Sequence, residues 1–104
     1  MKYAYADLGA QEQGNEVVIK VRGGAHGVML IDVANFLRYR TGRSFRFTGG
    51  RYRGSPARLE VPDDGHWFAV LDLGSYNGRA RATVEVIKPG ARDQQPEQEL
   101  VETG

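Results

Sequence analysis

The sequence predicts an all-β fold, a β-sandwich of jelly-roll-like type with one short helix. Three observations predict it: apolar and polar residues alternate with period two, turn-forming dipeptides punctuate the alternation, and one stretch alone has helical spacing. Short strands at regular intervals with a single helical excursion suit two packed sheets better than a βαβ layer.

Tyr3–Leu8 is the first short strand candidate. In Glu16–Arg22, Val17, Ile19 and Val21 take one face, while Lys20 and Arg22 join Val18 on the other. Val28–Asp32 and Ser44–Thr48 are shorter candidates, and Ala57, Leu59 and Val61 alternate with Arg58 and Glu60. His66–Leu73 differs, because Trp67, Ala69 and Leu71 share one face and Phe68 and Val70 the other; a strand apolar on both faces belongs at the centre of its sheet. In Gly78–Ile87, Ala80, Ala82, Val84 and Val86 face inward against Arg79, Arg81, Thr83 and Glu85. The helix is predicted over Asp32–Arg40, where Val33, Phe36, Leu37 and Arg40 fall at helical spacing. Asp32 caps its first turn and Gly42 ends its last. Gly14-Asn15, Gly23-Gly24, Gly49-Gly50 and Pro62-Asp63-Asp64-Gly65 read as turns, and Asn77-Gly78 as a hairpin joining the last two long strands.

At 104 residues the chain has room for one modest core, assigned here to a single domain over residues 1–88. Residues 89–104 are polar and rich in Gln and Glu, and are expected to be disordered. Deleting residues 90–104 is then expected to leave the melting temperature nearly unchanged. There is no cysteine, which excludes disulfides, iron–sulfur ligation and a thiol nucleophile. The first residues lack the apolar run of an export signal and no stretch is long enough to span a membrane, so a soluble, cytoplasmic protein is expected.

The net charge of +1 conceals a segregation. Arg38, Arg40, Arg43, Arg46, Arg51, Arg53 and Arg58 lie between Val33 and Leu59 with no acidic residue among them. The stretch from Pro89 onward holds Asp93, Glu97, Glu99 and Glu102 against Arg92. Guanidinium forks suit phosphate and carboxylate groups, and the interleaved Tyr39, Phe45, Phe47 and Tyr52 could add stacking surfaces. Solvated outward positions explain the same arginines without a ligand, and that reading is preferred. Among them Arg38, Arg43, Arg46, Arg51 and Arg53 are the candidate ligand-binding residues, together with Trp67 as a stacking platform; packing in the core is the preferred role for Trp67.

Asp63, Asp64 and His66 invite an acid–base or metal reading, yet Pro62-Asp63-Asp64-Gly65 also meets the demands of a turn, and the turn is preferred. A satisfied, partly buried imidazole is the expectation for His66. For Asp32 and Asn35, helix capping is preferred over a pocket. Gly49-Gly50 lacks the Lys-Ser/Thr of a phosphate loop, and Ser44, Ser55 and Ser75 lack the Gly-x-Ser-x-Gly context of a nucleophile. No catalytic residues, no metal ligands and no cofactor are therefore assigned.

Taken together, Met1-Lys2-Tyr3, Asp7-Leu8-Gly9, Gly14 with Val17 and Ile19, Asp32 with Asn35-Phe36, Tyr39 and Gly42, and the run Ser55-Pro56, Leu59, Val61-Pro62, Gly65-His66-Trp67 and Asp72-Leu73-Gly74 resemble a bacterial family, domain of unknown function 1883. The resemblance extends through Val84–Ile87. It implies a small β-sandwich, found alone or joined to Toll/interleukin-receptor-like signalling domains, and carries no catalytic or ligand residues with it. The expected function is a non-enzymatic binding or interaction module for an unidentified protein or small-molecule partner. Anion binding, to a nucleotide or nucleic acid, through the Arg38–Arg58 face is the alternative.

Overall fold

The computed structural model describes residues 2–74, 80–89 and 96–103. The alternation produces strands β1 (Lys2–Gln11), β2 (Glu16–Arg22) and β3 (Gly27–Asp32), then helix α1 (Val33–Arg40). Strands β4 (Thr48–Arg51), β5 (Ala57–Glu60), β6 (Gly65–Gly74) and β7 (Arg81–Ile87) follow, with two short strands, β8 (Gln98–Glu99) and β9 (Val101–Thr103), at the end. They form two antiparallel sheets, one ordered β4-β3-β6-β1-β9 and the other β5-β2-β7-β8.

The pairing is that of a rolled double ribbon. β3 pairs with β4, β2 with β5, and β1 with β6, all antiparallel, so the first three strands run out and the next three run back. α1 sits at the turning point. Rolling the ribbon brings β6 against β3 as well as β1, which closes the larger sheet. This is jelly-roll-like topology, as the sequence predicts.

Between the sheets lies the main core, to which Val17, Ile19, Leu30, Val61, Ala69 and Leu71 contribute with no measurable exposure. The outer face of the larger sheet is apolar too. Tyr3, Met29, Ile31 and Val70 pack there beneath Phe36 and Tyr39 of α1, forming a second core. That second layer explains why β6 is apolar on both faces.

α1 begins and ends where expected. The Asp32 carboxylate accepts from the Asn35 backbone N–H at 2.9 Å, and Gly42 takes a φ of 74° just past the last turn. Its buried face is Phe36 and Tyr39, whereas Val33 and Leu37, read as part of the apolar stripe, are 48% and 63% exposed. Among the described residues no helix is long and apolar enough to cross a membrane.

Four expectations are corrected. Ser44–Thr48 is a loop apart from its last residue, held to α1 where the Asn35 side-chain oxygen accepts from the Arg46 N–H at 2.8 Å. Gly49-Gly50 is no turn but part of β4, opposite Met29 and Val28. Gly49 has a φ of 118°, and a Cβ there would collide with the Val28 carbonyl oxygen, so the close approach requires glycine. The two long strands flanking Asn77-Gly78 do not form a hairpin, because β6 and β7 lie in different sheets; the dipeptide itself, with Ser75 and Arg79, lies outside the described residues.

The fourth correction concerns the polar end of the chain, whose residues 98–103 are ordered. β8 adds to β7 and β9 adds to β1, and between them Leu100 turns into the core, 6% exposed, with its N–H on the Ala82 carbonyl. The segment is a strap closing one side of the sandwich. The ion pairs Lys2–Glu102 and Lys20–Glu97 are exposed and contribute little, so burial of Leu100 is the main stabilising contact. Leu100→Ala should cost about 2–5 kcal/mol. In thermal denaturation, truncation after residue 95 should lower the melting temperature comparably; an unchanged melt would show that the strap contributes nothing.

Candidate functional site

The strap closes the β8/β9 side, and the opposite side, between edge strands β4 and β5, is open. A cleft of about 630 Å³ lies there. Val28, Pro56, Ala57 and Leu59 supply apolar surface, Gly49, Gly50 and Gly54 leave backbone accessible, and Arg51 and Arg53 stand at its border.

The five candidate arginines are all exposed but do not converge on one concavity. Arg38 and Arg46 border a second cleft of about 450 Å³ with Asn35, Ser44 and Phe45, beside α1. Arg43 follows the helix, its N–H on the Arg38 carbonyl at 2.9 Å. Among the described residues none of these five side chains has an acidic partner, whereas Arg58 pairs with Glu16 at 2.7 Å. Arg40, outside the candidate set, lies over the Phe36 ring at 5.6 Å.

Trp67 is in the inter-sheet core, 7% exposed, and its indole N–H donates to the Asp63 carbonyl at 2.8 Å. The bond fixes the turn that delivers β6. Asp64 is also engaged in that turn, accepting from the Gln13 N–H at 2.7 Å. His66 is more exposed than expected; its ring stacks on Phe68 and its Nε2 meets the Asp7 carboxylate. Asp32 caps the helix as expected, accepting from the Asn35 backbone and side-chain N–H groups at 2.9 Å, while Asn35 also lines the cleft beside α1. Among the described residues no three metal-ligating side chains converge.

Two features of the outer face of the larger sheet escape sequence reading. Asp72, Gly27 and Arg51 occupy one cross-strand row of β6, β3 and β4, and a cleft of about 220 Å³ opens over it. Tyr39, 3% exposed, has a hydroxyl without a hydrogen-bond partner among the described residues. Burial, and then the charges of Asp72 and Tyr3, push its ionisation well above the usual tyrosine range. The available signal was Asp72 itself, a carboxylate on an otherwise apolar strand face.

Fold and geometry thus define a class: a jelly-roll-like β-sandwich whose open edge carries, beside a cleft, arginines without an acidic partner among the described residues. The chain belongs to the family described as Domain of unknown function (DUF1883), whose model matches residues 1–90. No curated protein and no solved structure matches it.

Two outcomes follow from these placements. Trp67→Ala should cost roughly 3–5 kcal/mol in chemical denaturation, as a cavity between the sheets; an equally stable variant would instead mark Trp67 as a surface platform. Because the folded state holds the Tyr39 proton more tightly than the unfolded chain, its contribution to stability is complete below pH ~10 and falls as pH rises further. Tyr39→Phe should therefore flatten the alkaline limb of the stability profile and cost little at neutral pH, since it removes an unpaired hydroxyl. An unchanged alkaline limb would assign that limb to other groups.

Proposed function

We propose that this chain is a recognition module without catalytic chemistry of its own, and that it anchors an anionic group of its ligand at the open β4–β5 edge. The observation that carries the reading is the state of the arginines. Arg51 and Arg53 border the 630 Å³ cleft with no acidic partner among the described residues, so their guanidinium forks remain available. Unpaired guanidinium groups beside accessible glycine backbone offer both charge and N–H donors to a phosphate or carboxylate. Val28, Ala57 and Leu59 would receive the apolar part of the same ligand. The ordered jelly-roll frame supports this reading by holding the cleft on paired strands.

Arg38 and Arg46, on the separate cleft beside α1, would add contacts for a longer anion such as a nucleic-acid strand. A labelled single-stranded oligonucleotide serves as the phosphate probe. Its affinity should fall with salt, with a log–log slope of about −0.7 for each phosphate neutralised. The double variant Arg51→Glu with Arg53→Glu should abolish binding while leaving the melt within ~0.5 kcal/mol of the parent. Absence of binding at low ionic strength would overturn the anionic reading.

A further inference from the structure

The outer face of the larger sheet carries a second site, distinct from the β4–β5 mouth except that Arg51 borders both. In the register of the sheet, Gly27 of β3 lies opposite Asp72 of β6 on one side and Arg51 of β4 on the other. Residues in register point to the same face, so a carboxylate and a guanidinium flank a position with no side chain. Two strand spacings put their Cα atoms about 10 Å apart. They form no ion pair, and the space between them is the 220 Å³ cleft.

Met29, Phe45 and Phe47 give the rest of the cleft its apolar surface, and His26, whose backbone N–H donates to the Asp72 carbonyl at 2.8 Å, also lines it. Phe45 and Phe47 contact each other at 5.3 Å between ring centroids, and Phe47 is 47% exposed although nothing in the fold requires an aromatic ring at the surface there. Tyr39 stands beside the site, its ring edge-on to Phe45 at 5.0 Å and its hydroxyl near enough to feel the charge of Asp72. That hydroxyl has no hydrogen-bond partner among the described residues.

We infer that this cleft binds a small zwitterion, a free α-amino acid with a large apolar side chain. Arg51 takes the carboxylate, Asp72 takes the ammonium, and Phe45, Phe47 and Met29 cover the side chain. The size agrees, since the cleft falls below the 300 Å³ or more typical of drug-sized ligands. A purely anionic or purely cationic ligand would leave one of the two charges flanking Gly27 without a partner, whereas a zwitterion satisfies both.

Titration of the isotope-labelled full chain with L-phenylalanine, 3-phenylpropionate and phenethylamine, followed by amide chemical shifts, tests the assignment. L-phenylalanine should shift the amides of Gly27, Met29, Arg51 and Asp72 and saturate, with each half-ligand at least tenfold weaker. Arg51→Gln should erase the advantage over phenethylamine. Asp72→Asn should erase the advantage over 3-phenylpropionate; this variant keeps the oxygen that accepts the Gly74 N–H at 2.8 Å, so the strand end is preserved. Arg53→Gln, which weakens the mouth alone, should leave amino-acid binding intact, and this separates the two sites. Equal affinity for all three compounds, shifts outside the cleft, or no shifts at millimolar ligand would overturn the inference.

Discussion

The rest of the molecule depends on β6 being buried on both faces. A strand with Trp67, Ala69 and Leu71 on one side and Phe68 and Val70 on the other needs two covering layers. The second sheet supplies one and α1 the other. The helix reaches that position because it occupies the turning point of the ribbon, between β3 and β4, and its Phe36 ring then stacks on Phe68 at 4.2 Å. Burial of aromatic and aliphatic side chains against both faces of one strand joins the two apolar clusters of the fold.

Much of this architecture was legible in the sequence because each legible part rests on a local rule. Asp32 capping and Gly42 termination are set by backbone geometry within one turn, and the two-faced pattern of His66–Leu73 states its central position outright. What was illegible depends on distant partners. Asn77-Gly78 carries a hairpin signal, but sheet membership follows from the ribbon pairing. Gly49-Gly50 looks like a turn until β3 approaches closely enough to require glycine in a strand. Leu100 is one apolar residue in a polar stretch, and its place in the core becomes visible once the gap at the β8/β9 side is known.

The candidate site divides along the same line. The arginines were found by charge, a property of composition, yet their distribution between two clefts follows from the loop that Asn35 ties to α1. Trp67 was read correctly as a packing residue because its strand is apolar on both faces. The row of Asp72, Gly27 and Arg51 carries no sequence signal beyond the Asp72 carboxylate, since α1 and β5 lie between its members in the chain and strand register alone makes them neighbours.

The ribbon also constrains how the chain is made. β1 precedes both of its partners in the chain, hydrogen-bonding to residues 65–74 along one edge and to residues 101–103 along the other. Its inward Ala4, Ala6 and Leu8 and its outward Tyr3 therefore wait for nearly two thirds of the 104-residue chain before any strand can pair with them. During translation, at roughly 5–20 residues per second, β1 stays unpaired for seconds before β6 is made. Over that interval, the segment that later joins the most extensively paired part of the sheet is an open template for other extended chains.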